Sequence, residues 1–173
     1  MIKYEITDGW RKYAEKKYTG RKFNENTIKK GGEGQIAGTI GELAVGRWLR
    51  EKGFDFDYVA DECVDYDFVV NKGHKIDVKT KNSVGAPKSG YMVRVPYSQE
   101  KQNCDTYLFT YCTSDYVYLM GWVGKDDWWA GDKTFEAKAG DIIDGFKEKV
   151  RCRYSFVGDL IGLDFLELCF VAV

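Results

Sequence analysis

The sequence predicts an α/β domain on a central mixed β-sheet flanked by helices. Three observations carry that prediction. One long segment has helical spacing. Six short aromatic and β-branched runs follow it, separated by turn signals. A short polar helical segment then falls between strands, so the order reads helix, hairpin, strand, short helix, strands.

Taken in chain order, residues 8–30 are polar and mostly helical in propensity, and KKGGEG at 29–34 is a break. A helix is expected from about Gln35 to Lys52. Ile36, Ile40, Leu43 and Leu49 recur near helical spacing, and Gly53 is placed to stop it. Gly38, Gly41 and Gly46 lie inside this helix and cost stability relative to alanine, so close packing against a sheet or a ligand backbone is expected there. The runs FDFDYVA, YDFVV, HKIDVKTK, YMVRVP, TYLFTYC and YVYLMGWV read as strands. NKG at 71–73, SVGAPKSG at 83–90 and TSD at 113–115 read as the turns between them. YSQEKQN at 97–103 is the short helix, and the chain closes on a mixed apolar tail, DLIGLDFLELCFVAV.

At 173 residues, 44% apolar and 31% charged, the chain has the size and composition of one globular domain. No apolar run approaches the roughly 20 residues that cross a bilayer. The N-terminus MIKYEITDGW has no apolar signal region, so a cytoplasmic protein with no membrane partner is expected. Five scattered cysteines without a CxxC pair argue against a disulfide framework or a thiolate zinc site. A single histidine, His74, excludes histidine-rich metal centres, and it reads as an exposed turn residue. No phosphate-binding GxxxxGK[ST] loop and no GxSxG elbow occur. The chemistry left open is that of carboxylates, lysine, tyrosine and metal. Net charge is −1, but basic residues gather at 11–30 and 72–101 around an acidic stretch at 55–67. That is the distribution a metal site acting on a polyanion needs, although a mosaic of solvated charges gives the same pattern.

The chemistry concentrates in DYDFVVNKGHKIDVKTK, residues 65–81. Side chains two apart on a strand share a face about 6.5–7 Å apart, so Asp77 and Lys79 point one way, with Val78 and Thr80 opposite. The NKG turn folds Asp67 back toward Asp77. Two carboxylates in contact repel unless a proton or cation lies between them. Hard oxygen donors with open positions suit Mg²⁺ or Mn²⁺. A lysine beside such an ion can orient water and offset charge on a phosphoryl oxygen. The helix at 35–52 can bring Glu42 to the same place. Aspartate is disfavoured in strand interiors, so Asp77 between Ile76 and Val78 calls for a reason.

These residues, Glu42 in GELAV, Asp67 in YDFVV, and Asp77, Val78 and Lys79 in IDVKTK, resemble the motifs of the PD-(D/E)XK nuclease superfamily. That group includes restriction endonucleases and Holliday junction resolvases. The resemblance covers about residues 36–123, with CDTYLFTY (104–111) as the next core strand. Residues 1–34 are then a basic, helical N-terminal extension and 124–173 a C-terminal elaboration of a single domain. The resemblance implies a restriction-endonuclease-like fold. It also implies metal held by Asp67, Asp77 and the Val78 main-chain carbonyl, with Glu42 as a further ligand, and Lys79 acting on the attacking water. The implied activity is metal-dependent hydrolysis of DNA to a 5′-phosphate product. A resolvase-like endonuclease working as a homodimer on branched DNA, or a catalytically idle nucleic-acid-binding module, fits the same pattern. Tyr66 stands where many members have proline, and Asp77 where many have glutamate. Asp65 shares the Asp67 face and is an alternative ligand.

Four more residues are candidates for nucleic-acid contact. Lys81 lies one strand step beyond Lys79, Arg94 sits on an apolar strand, and Ser98 and Gln99 open the short helix. Lys81 fits a solvated rim lysine equally well, and Ser98 fits a helix cap. Trp128 and Trp129 could stack on bases or plug the core. Basic residues 11–30 could embrace a duplex or form a dimer arm.

Overall fold

The computed structural model describes residues 1–19, 32–71, 73–143 and 145–166. Arg21, Lys22, Lys29 and Lys30 of the basic run, half of the 29–34 break, Lys72 of the NKG turn and the end of the apolar tail lie outside the described residues.

The chain opens with strand β1 (Ile2–Glu5) and helix α1 (Asp8–Tyr18). Thr7 caps α1 by accepting from Trp10 N at 3.2 Å, and Asp8 in the first turn suits the positive helix end. Helix α2 (Glu33–Glu51) is the expected long helix. It ends at Gly53, whose φ of +76° is open to glycine and costly for most side chains. Strands β2 (Phe56–Tyr58), β3 (Phe68–Val70) and β4 (His74–Asn82) form an antiparallel meander. β5 (Met92–Pro96) follows, then β6 (Thr106–Cys112) and β7 (Tyr116–Gly124). The remaining elements are α3 (Lys125–Ala130) and strands β8 (Phe135–Ala137), β9 (Ile142–Ile143), β10 (Phe146–Lys147) and β11 (Cys152–Phe156).

The central sheet has six strands in the order β1-β7-β6-β4-β3-β2, with β4 and β6 parallel and every other pair antiparallel. It is the mixed sheet of an α/β protein. The two long helices cover one of its faces. There α1 and α2 enclose Ile40, Ala44, Val45, Trp48, Ile76, Val78, Leu108 and Leu119. The opposite face carries Tyr107, Phe109, Tyr111, Tyr118 and Met120, packed on Val93 and Val95 of β5 and on Trp128 of α3. β5 belongs to a separate three-stranded sheet, β5-β11-β8. The long helices α1 and α2 thus lie on one face, and the short α3 lies with the strands of the second sheet on the other.

Two local expectations change. The 97–103 segment makes one 3₁₀ turn, Tyr97–Gln99, rather than a helix. Seven residues are too few to hold a helix without a packed face. The N-terminal segment supplies an edge strand as well as a helix, because β1 pairs with β7 from Ile2 opposite Leu119 to Glu5 opposite Tyr116.

Two of the three helix glycines answer to packing, while a Cβ at Gly38 would meet only Glu42 Oε1 of the same helix, at 4.0 Å. A Cβ at Gly41 would lie 2.1 Å from Thr80 Oγ1 and 2.6 Å from Thr110 Oγ1, while Gly46 faces the Phe68 ring. α2 therefore rides directly on β4 and β6, and this close approach sets the height of Glu42 above the sheet. Gly41→Ala is expected to lose about 1–3 kcal/mol in urea unfolding, despite the better helix propensity of alanine, because Thr80 and Thr110 must move. Thr80→Ala in the same chain should recover part of that loss. An unchanged midpoint in Gly41→Ala would refute the close approach.

Candidate active site

β4 is covered on both faces where it matters, since Ile76, Asp77 and Val78 are all buried. Ile76 and Val78 join the core under α2, so Asp77 and Lys79 project to the other face, as the alternation required. Asp77 lies in register with Tyr107 of the parallel neighbour β6, and Lys79 with Phe109. The Lys79 ammonium stands 5.6 Å from the Tyr107 ring centroid and forms an ion pair with Asp77 Oδ2. The Asp77 side chain is 8% exposed and that of Lys79 15%. Asp77 Oδ2 is enclosed and accepts no well-directed hydrogen bond, so the ion pair alone answers its charge.

Asp67 immediately precedes β3 and extends its pairing with β4. Its main-chain N–H donates to Ile76 O at 2.8 Å, and its Oδ2 accepts from Val78 N at 2.7 Å. The residue keeps some open surface, yet its carboxylate is ringed by protein atoms. Burial, then the charges of Glu42 and Asp77, push the Asp67 carboxyl up to about 8, against the pull of the Val78 N–H and Lys79. Asp77 is also raised, chiefly by burial, with Asp65 adding repulsion and Lys79 opposing it. Asp65 therefore stands near the site, although Asp67 is the residue bonded into the strand pair.

Glu42 projects from α2 and is held by residues that the sequence did not single out together. Its Oε2 accepts the Tyr58 O–H, and Lys17 Nζ lies 3.7 Å away. Lys17 also donates to Tyr58 Oη at 3.0 Å and pairs with Asp61 at 2.9 Å. A signal for Lys17 existed. Trp10, Ala14, Lys17 and Tyr18 recur at helical spacing on one face of α1, and Ala14 is fully buried, so Lys17 points inward rather than toward solvent.

The candidate nucleic-acid residues lie apart in their bonding. Lys81 is exposed, donates to Met92 O at 3.3 Å and stands 5.4 Å from the Tyr111 ring centroid. Arg94 sits on β5, where its guanidinium pairs with the buried Glu148 carboxylate and also reaches Tyr154 Oη. Ser98 is exposed and provides no side-chain cap. The buried Gln99 Oε1 has no hydrogen-bond partner, while the Gln99 main-chain carbonyl accepts from Tyr107. Trp128 is a core residue against Tyr107 and Phe109, and Trp129 donates to Tyr107 Oη. His74 is half-buried rather than exposed, with Nε2 2.8 Å from Thr106 Oγ1. The four cysteines among the described residues are free thiols.

Comparison with protein-family models, with curated proteins and with solved structures found no match. Among the described residues, no three His, Cys, Asp or Glu side chains converge closely enough to enclose a metal ion unaided, and no helix is long and apolar enough to cross a membrane.

The donor set nevertheless suits a hard divalent cation. It offers two carboxylates enclosed by protein, one of them paired with Lys79, and repulsion that a cation would relieve. Mg²⁺ commonly takes one or two carboxylates and keeps water in its remaining positions.

The raised Asp67 carboxyl fixes a sign. Its folded pKa lies above the unfolded value near 4. Its contribution to stability is therefore full below about pH 4 and is lost as pH rises through about 8. Asp67→Asn keeps an acceptor for Val78 N and removes the charge. In metal-free buffer at pH 8 it should raise Tm by at least about 3 °C, the shift that ~1 kcal/mol produces in a chain of this size. The difference should vanish at pH 4. A lower Tm for Asp67→Asn at pH 8 would contradict the assignment.

Proposed function

We propose that the protein is a divalent-metal-dependent nuclease that hydrolyses phosphodiester bonds of DNA, with Glu42, Asp67, Asp77 and Lys79 as its active site. The observation that carries this reading is the ion-paired Lys79 beside a buried Asp77, two residues apart on one strand, with the raised Asp67 carboxyl hydrogen-bonded to the intervening Val78. The mixed sheet, with β4 parallel to β6 and a helix carrying Glu42 laid across it, supports a restriction-endonuclease-like core.

Asp67, Asp77 and the Val78 main-chain carbonyl are the groups that would hold Mg²⁺ or Mn²⁺, with Glu42 as a further ligand or a holder of water. The bound ion supplies Lewis-acid polarisation of the scissile phosphodiester. Lys79 presents its ammonium next to Asp77 and over the Tyr107 ring. From there it orients the attacking water and offsets negative charge growing on the phosphoryl oxygens. Water forms the new P–O bond and gives up a proton to solvent, the bond to the leaving 3′ oxygen breaks, and that oxygen takes up a proton from solvent. A 5′-phosphate end results. Aromatic walls of low polarity around Asp77 strengthen each of these interactions relative to water.

The test is cleavage of labelled single-stranded, duplex and four-way-junction DNA with Mg²⁺, Mn²⁺ or EDTA. Cutting should need the metal and should fall by about 10²–10³-fold or more in Asp77→Ala and Lys79→Ala. Preference for the junction would favour a dimeric, resolvase-like enzyme. Wild-type protein that binds these DNAs but cuts none with either metal would overturn the catalytic reading in favour of an idle binding module.

A further inference from the structure

We propose that Lys17 and Tyr58 are positioning residues for the metal site, forming a relay that fixes which oxygen of Glu42 is presented to it. The inference rests on the nuclease reading above and extends it to helix α1.

A phenol has one proton to give, while its oxygen can also accept. Lys17 has three donors and no acceptor. Because Lys17 Nζ donates to Tyr58 Oη at 3.0 Å, the Tyr58 proton is directed away from Lys17. It goes to Glu42 Oε2. That oxygen is thereby engaged, with the Lys17 ammonium 3.7 Å off as a second restraint. Glu42 Oε1 accepts no hydrogen bond among the described residues. It is the oxygen left for a cation or for water beside one.

The relay is built to be rigid. The side chains of Lys17 and Glu42 are 10% and 14% exposed, so neither is a mobile surface group. Lys17 is anchored from its far side by Asp61 at 2.9 Å. The Tyr58 ring packs on Phe68 with centroids 5.2 Å apart, which fixes the hydroxyl relative to β3 and hence to Asp67. Three elements, α1, β2 and α2, therefore converge on one carboxylate. Partners that orient a metal-binding carboxylate typically change metal affinity by about 10–100-fold when removed.

Charge alone makes the opposite prediction for Lys17. Removing an ammonium near a cation site should tighten cation binding, so the sign of the effect separates positioning from electrostatics.

The experiment is calorimetric titration of the full chain with Mn²⁺ in the absence of DNA, with Tm measured for every variant. Tyr58→Phe, which changes no charge, should weaken Mn²⁺ binding about tenfold. Lys17→Met should weaken it as well. Glu42→Gln combined with Tyr58→Phe should bind no more weakly than Glu42→Gln alone, because the tyrosine acts through the carboxylate. A merely structural role for Tyr58 would instead lower Tm and add to the effect of Glu42→Gln. Wild-type affinity in Tyr58→Phe, or tighter binding in Lys17→Met, with binding still abolished in Asp77→Asn, would overturn this inference and leave the nuclease reading standing. Binding that is equally weak in wild type and Asp77→Asn would overturn both.

Discussion

Asp67 is the carboxylate on which the others bear: Glu42 of α2 and Asp77 of β4 both act on it, and its own surroundings hydrate it poorly. Burial raises both aspartates, and the charge of Glu42 raises Asp67 further. Two cations stand against these carboxylates, Lys79 in its pair with Asp77 and Lys17 at 3.7 Å from Glu42 Oε2. Without a divalent ion, the folded chain meets that repulsion by holding a proton. Most of the architecture can be read as the means of keeping these groups together. β4 is covered on both faces, so Asp77 cannot turn to water, and the Val78 N–H ties Asp67 into the ladder.

The scaffold sets distances from both sides of the sheet. On the helical face, the Gly41 approach to Thr80 and Thr110 brings α2 close enough for Glu42 to act on Asp67. On the other face, Tyr107 lies in register with Asp77 and is held by Trp129 and by the Gln99 carbonyl. The tryptophan pair in α3 thus serves the wall of the site, with Trp128 filling the core behind Tyr107 and Phe109. Arg94 has a separate task. It neutralises the buried Glu148 and holds the segment after β10 against β11 through Tyr154.

Much of this was legible in the sequence because it depends on local periodicity. The alternation Ile76, Asp77, Val78, Lys79 sorts side chains onto two faces whatever covers them. Gly53 marks the end of α2 because a positive φ needs it. Gly41 signalled close packing, although its partners, Thr80 and Thr110, are distant in sequence. What the sequence hid depends on tertiary pairing. β5 reads like any other strand, yet it leaves the central sheet to pair with β11, which lies far along the chain. The segment at 97–103 makes a single 3₁₀ turn, because so short a run finds no packed face to hold a helix. Lys17 was masked by the basic residues around it, and only its spacing from Trp10 and Ala14 marks it as inward. Tyr58 gave no signal, because its partners come from two helices.

A cation held by Asp67 and Asp77 must displace the proton that their crowding retains, so counting protons decides whether one is held there. Mg²⁺ titrations at pH 7, run calorimetrically in buffers of different ionisation enthalpy, give the number of protons released per ion bound. Release of about one proton per Mg²⁺, falling toward zero well above pH 8 and absent in Asp67→Asn, is the result expected from the raised Asp67 carboxyl. Mg²⁺ binding with no proton release at pH 7, or no Mg²⁺ binding at any pH, would contradict it.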